Sequence, residues 1–273
     1  MHADEPWDVG IDAVLPLVHD DSLNPAESFD VLACGDVHVL GRMPWSSNAT
    51  FLVVVGEPPP EMEEKGAVPP AQAGSVRAIY KPGKGERPLW DFPGGLFRRE
   101  AAAYELSVWL GWDLIPRTIV RDGPYGTGSF QTFVDADYNT HYFTLLEDRT
   151  DTHDRLRAFA AFDVVANNAD RKGGHVLIDA TDGIWGIDNG LCFHTDYKLR
   201  TVIWDFADEP IPVALMAGLE RVASVAVPDD MGLLAELLER DEFDAMVKRA
   251  RKLARRPVLP RPHSDHAYPW PMV

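Results

Sequence analysis

Lys81, Glu100, Asp170 and Asp188 follow one another in an order that suits phosphoryl transfer from a nucleoside triphosphate. That chemistry asks for cations beside the phosphates, carboxylates for a divalent metal, and a group that orients the acceptor hydroxyl. Lys81 closes the strand-like run Val76-Arg-Ala-Ile-Tyr-Lys81, ahead of Pro82. A strand lysine followed by a helix that carries a glutamate is the arrangement that grips α- and β-phosphates. The next helix carries Glu100 and Glu105. Five residues at 100° each set these roughly 140° apart, so only one can face the lysine. Glu100, in the first turn, is the expected partner.

Asp170 sits in Asn167-Asn-Ala-Asp-Arg-Lys-Gly-Gly-His175, just past a predicted helix, where it can accept a hydrogen bond from an acceptor hydroxyl. Asp188 opens Asp188-Asn-Gly190 after a strand. Between them the turn Thr181-Asp182-Gly183 predicts a hairpin, which returns the chain and brings both carboxylates to one edge. Singly, each residue has a plain reading as an edge lysine, a first-turn carboxylate or a turn former. Their common order makes the case.

The elements that must position these groups fall into two halves. Residues 1–28 read as an irregular lead-in. Strand signals at 37–41, 50–55, 76–81, 115–121 and 129–134, with one helix at 98–110, make a strand-rich lobe over 29–134. Glu57 to Ser75 is a Pro-, Glu- and Gly-rich linker. Residues 135–256 read as a helical lobe with a helix at 154–167 and short strands at 176–178 and 184–187. Residues 257–273 read as a loosely held, Pro-rich tail. The expected class is α+β, in two lobes.

Composition narrows the partners. The 273 residues carry a formal charge of −17, which disfavours nucleic acid and works against a tight hold on anionic lipid. Lys248, Arg249, Arg251, Lys252, Arg255 and Arg256 form a local exception, read as the solvated basic end of a helix. No transmembrane run is present, and the acidic start lacks the apolar stretch of a signal peptide. Cys34 and Cys192 lie outside metal-ligand spacing and fit a reducing compartment. The expected location is cytoplasmic.

The segments Ser46-Ser-Asn-Ala-Thr-Phe-Leu-Val-Val54, Ile79-Tyr-Lys-Pro82, Arg99-Glu-Ala-Ala-Ala-Tyr104, Gly128-Ser-Phe-Gln-Thr-Phe-Val134, Asn168-Ala-Asp-Arg171 and Ile187-Asp-Asn-Gly-Leu191 resemble those of type II phosphatidylinositol 4-kinases. Small bacterial phosphatidylinositol 3-/4-kinase-like proteins share the pattern. The resemblance implies a protein-kinase-like fold and ATP as donor. It implies that Ser46, Ser47, Asn48 and Thr50 cover the phosphates, that Lys81 binds them with Glu100 holding it, and that the Gln131 to Val134 backbone, including Phe133, reads adenine. Asp170 is then the catalytic aspartate and Asp188 the principal metal ligand. His175 stands where the family has an asparagine as second metal ligand; the metal is expected to be Mg or Mn, with His175 acting through water, favouring Mn, or leaving one metal weakly bound.

The cysteine-rich, palmitoylated insertion of the type II enzymes has no counterpart between Cys34 and Cys192. The leading expectation is therefore a kinase acting on a protein or small-molecule hydroxyl. The alternatives are a phosphatidylinositol kinase, a nucleotide-binding pseudokinase suggested by His175, and, behind these, AMP transfer. The stretch Leu199 to Phe206 is expected in the core rather than on a membrane surface.

Overall fold

The computed structural model describes residues 25–43, 46, 48–58 and 73–273. Ser47, most of the lead-in and most of the Pro-rich linker lie outside the described residues. The chain divides into two compact units, Met1–Phe97 with Arg117–Asp135, and Arg98–Pro116 with Ala136–Val273. The contiguous lobes read from the sequence therefore need one correction. Arg98–Pro116 goes with the helical unit, where Glu100 accepts from the Asn189 N–H and the Trp112 indole donates to the Leu215 carbonyl.

The first unit is a five-stranded antiparallel sheet with one helix. Helix α1 (Pro25–Cys34) replaces the last residues of the expected irregular lead-in. Proline at the first helical position and Glu27 in the first turn are its start signals. The strands are β1 (Val37–Arg42), β2 (Phe51–Gly56), β3 (Ser75–Pro82), β4 (Thr118–Gly123) and β5 (Gly126–Thr132), in the order β1-β2-β3-β5-β4. On β3, Val76, Ala78 and Tyr80 join Leu32, Val53, Val55 and Phe130 in the core. Period-two alternation turns Arg77, Ile79 and Lys81 to the opposite, half-buried face.

The second unit takes α2 (Leu96–Leu110) from Arg98 onward. It continues with α3 (Tyr142–Asp148), α4 (His153–Ala166), the hairpin β6 (Val176–Ile178) and β7 (Ile184–Gly186), α5 (Val213–Ser224), α6 (Leu233–Leu237) and α7 (Arg240–Arg255). Helix α3 falls in a stretch for which the sequence predicted no element of its own. Helix α4 is enclosed, with Leu156, Phe159, Phe162 and Val165 fully buried. Helices α2 and α5 cross so closely that a Cβ on Gly218 would lie 1.7 Å from the Leu110 carbonyl oxygen.

Two expectations about the C-terminal region change. The basic end of α7 is not simply solvated. Arg249 donates to the Val165 carbonyl and Arg251 to that of Ala223, capping other helices' ends. The final segment is also docked. The Asp208 N–H donates to the Leu259 carbonyl and the Leu259 N–H to the Glu209 carbonyl, and Leu259 and Ala267 are buried. The Ala267 carbonyl accepts from the Thr201 N–H and the Trp204 indole, and the Gly173 N–H donates to Met272 at 2.7 Å. Leu199, Val202, Trp204 and Phe206 are buried, so this stretch is core. Among the described residues no helix is long and apolar enough to cross a membrane.

Candidate active site

The loop after α4 is shaped by two asparagines. Asn167 ends the helix in the left-handed region at φ 55°, a conformation its short polar side chain tolerates. Its amide donates to the His194 and Asp196 carbonyls and its oxygen accepts from the Lys198 N–H. Asn168 then accepts from the Asp170 N–H at 2.9 Å, a tight Asx turn that presents the Asp170 carboxylate. Arg171 points the other way and is wholly buried. It binds Asp163 on α4, the Ile187 carbonyl and the Asn189 side chain, at 3.1, 3.0 and 2.7 Å.

The β6–β7 hairpin pairs Val176 with Gly186, and the ladder continues as the Ile187 N–H donates to the His175 carbonyl. One residue further, Asp188 adopts φ 55°. Its carboxylate lies 3.5 Å from His175 Nε2 and is half exposed. His175 Nδ1 is 3.0 Å from the Asp170 carbonyl oxygen. The Lys172 ammonium lies 3.5 Å from the Asp170 carboxylate. Burial pushes the Asp170 carboxyl up to about 6, against the pull of Lys172, with Asp188 adding repulsion. Buried Glu100 accepts from the Asn189 N–H at 2.9 Å. Asp170, His175, Asp188 and Glu100 are thus brought into one network within the second unit.

Among the described residues no three His, Cys, Asp or Glu side chains converge as a metal cage. The donor set nevertheless fits a cation that arrives with phosphate oxygens, since such ions use one or two carboxylates plus substrate phosphates. His175 Nδ1 lies between the Asp170 carbonyl and the Lys172 N–H, which leaves Nε2 facing Asp188 as the ring nitrogen that could ligate a metal.

The remaining predicted residues belong to the first unit. Lys81 pairs with Ser129 across β3 and β5. Ser46 donates to the Thr50 hydroxyl at 2.7 Å, and Asn48 accepts from the Arg87 N–H. Gln131 turns its amide to the Thr118 hydroxyl. The Thr132 and Phe133 N–H groups are already donated to the Arg117 and Arg77 carbonyls. These two donors are therefore closed to a base edge.

No family model matches the sequence. Protein Rv2133c of Mycobacterium tuberculosis is 37% identical over 276 residues, covering 88% of this chain and 94% of that protein. The chain belongs to the same family as Rv2133c. Its fold is similar to that of hydra Fam20, solved with sugar, at a TM-score of 0.51 and 11% identity over 85% of this chain and 88% of the other. Helicobacter pylori proinflammatory kinase CtkA superposes at a TM-score of 0.45 with 9% identity, over 87% and 96% of the chains. Within the Rv2133c family, then, this member has an α+β fold similar to that of hydra Fam20.

Sequence reasoning missed several residues at the site. Lys172 was legible as the cation two positions after Asp170. Asn168 and Arg171 entered only as members of a resembling segment, because their roles depend on Asp163 and Asn189. Arg200 and the C-terminal wall beside Asp170 had none, since tertiary packing alone brings them there.

Proposed function

We propose that the protein is an ATP-dependent phosphotransferase acting on an alcohol. The observation that carries this reading is the approach of Asp188 to His175 at 3.5 Å, across a hairpin that also fixes Asp170 beside Lys172. Asp170 holds the acceptor hydroxyl and takes up its proton as the acceptor oxygen bonds to the γ-phosphorus. The bond from that phosphorus to the β–γ bridging oxygen breaks, and ADP leaves with its electron pair. Lys172 offsets charge on the transferring group. Lys81, Ser46, Ser47, Asn48 and Thr50 serve the triphosphate, Glu100 holds the Asp188 loop, and Val134 offers backbone to adenine. Asp188 and His175 would hold Mg or Mn, which when bound would neutralise phosphate charge.

The test incubates purified protein with ATP labelled at the γ or α position, Mg or Mn, and a metabolite and protein extract. Appearance of γ-label in a product supports the kinase reading. Transfer of α-label would instead indicate AMP transfer. A second reading, a nucleotide-binding pseudokinase, draws on His175 in place of an oxygen ligand. It predicts nucleotide binding with no transfer in either metal. Phosphatidylinositol vesicles examine the lipid acceptor directly.

A further inference from the structure

Beside Asp170 the second unit holds a cavity of about 610 Å³, within the size range of small-molecule sites. Its walls include Asp170, Arg200, His266, Tyr268, Trp270 and Met272. The aromatic wall is anchored at both ends, through buried Ala267 and through the Gly173–Met272 hydrogen bond. Trp270 is 87% exposed, so its indole spends little surface on the core and stands as an open face.

Arg200 is the unusual member. Its backbone is laddered to the catalytic loop on both sides of Asp170. The Arg200 N–H donates to the Asn168 carbonyl, and the Arg200 carbonyl accepts from the Arg171 N–H. Position relative to Asp170 is therefore fixed by main chain. Among the described residues its guanidinium forms no ion pair within 4 Å, although its charge acts across the cavity on the Asp170 carboxylate. A guanidinium at a cavity wall with no carboxylate in direct contact is suited to a ligand's anion, which it can bind through two parallel N–H bonds. Tyr268 and Trp270 supply flat apolar surface for the C–H face of a ring or short chain.

We infer that this cavity is the acceptor site and takes a small polyol carrying a phosphate or carboxylate, its anion on Arg200 and its free hydroxyl toward Asp170. The inference rests on reading Asp170 as the hydroxyl-orienting group. Arg200 is the specificity-determining residue and discriminates an anionic polyol from its neutral parent. The phosphate belongs either to a soluble polyol or to a lipid headgroup, because the cavity recognises the chemistry the two share.

The experiment measures equilibrium binding, without ATP, of glucose, glucose 6-phosphate, gluconate, glycerol and glycerol 3-phosphate, and of vesicles with and without phosphatidylinositol. At least one anionic member should bind about tenfold or more tightly than its neutral parent, as expected for a charged hydrogen-bonded pair. Arg200→Gln should remove that preference and leave the neutral parent unchanged. Trp270→Ala, at an exposed ring where folding is not at stake, should weaken both by a similar factor and keep their ratio. Vesicle binding lost in Arg200→Gln assigns the anion to a headgroup, and soluble binding assigns it to a free metabolite. Equal affinity for anionic and neutral members, or a preference untouched in Arg200→Gln, overturns the inference. γ-Label transfer, measured in parallel samples supplied with labelled ATP and Mg or Mn, separates the two readings. Anion preference without transfer defeats the kinase reading alone, whereas transfer to a neutral alcohol indifferent to Arg200 defeats the cavity assignment alone.

Discussion

Glu100 accepts a hydrogen bond at 2.9 Å from the backbone N–H of Asn189, the residue that follows Asp188. The glutamate of α2 is therefore tied to the loop that presents the candidate metal ligand, a role its helix position does not announce. Glu100→Ala leaves a buried donor unpaired, which costs about 1–3 kcal/mol. Thermal melts should show the loss, and the stabilisation by nucleotide plus metal should shrink with it. Glu100→Gln keeps an acceptor oxygen and should retain most of the apo stability. Equal melting temperatures for wild type and Glu100→Ala would remove the structural role.

Asp188→Asn should abolish metal-dependent stabilisation by ATP while leaving the apo fold intact, since the carboxylate is half exposed. Asp170→Asn should leave nucleotide binding in place and lower transfer by about 100-fold or more, the usual contribution of a positioned acid–base group. Thermal shift with and without metal, run beside γ-label transfer, checks both. An unchanged shift in Asp188→Asn counts against the metal assignment, and wild-type turnover in Asp170→Asn against the catalytic one.

Asp170 also links pH to stability. In metal-free protein burial raises its carboxyl to about 6, above the ordinary 3.8. A raised folded-state value means that the folded protein holds this proton more tightly than the unfolded chain. The contribution is fully present below pH ~4 and is lost as pH rises through about 6. Asp170→Asn mimics the protonated form, so it should raise the melting temperature of apo protein at pH 7.5 and change it little at pH 4. Melts at the two pH values decide it. A variant destabilised at both would show that the carboxylate is held by its neighbours rather than strained by burial.

Gly218→Ala should separate α2 from α5. The new methyl has 1.7 Å to the Leu110 carbonyl oxygen, and backbone cannot step aside as a flexible side chain does. A loss of about 3 kcal/mol is expected, at the upper end for overpacking. Chemical denaturation measures it. A variant as stable as wild type would mean that the two helices are free to re-space.

Legibility in the sequence followed the range of the interactions. The strand carrying Lys81, the helix carrying Glu100 and the hairpin between Asp170 and Asp188 are set by local periodicity and turn chemistry, and they read directly. Helix α1 was lost because ten residues with weak amphipathicity give little periodic signal. The docking of the final segment was lost because Pro-rich composition says nothing about carbonyls that meet Trp204 and Gly173. His175 read as a misfit ligand by type alone. Its hydrogen bond to the Asp170 carbonyl, which orients Nε2 toward Asp188, requires the folded loop.

Arg171 has one further consequence, for the way the second unit breathes. A single enclosed guanidinium holds α4 through Asp163, the end of the hairpin through Ile187, and the Asp188 loop through Asn189. Opening either loop alone would strand a desolvated cation, which no partial fluctuation can compensate. The amides of Ile187, Asn189 and Arg171 should consequently exchange with solvent deuterium at one common rate, as members of a single cooperative unfolding unit.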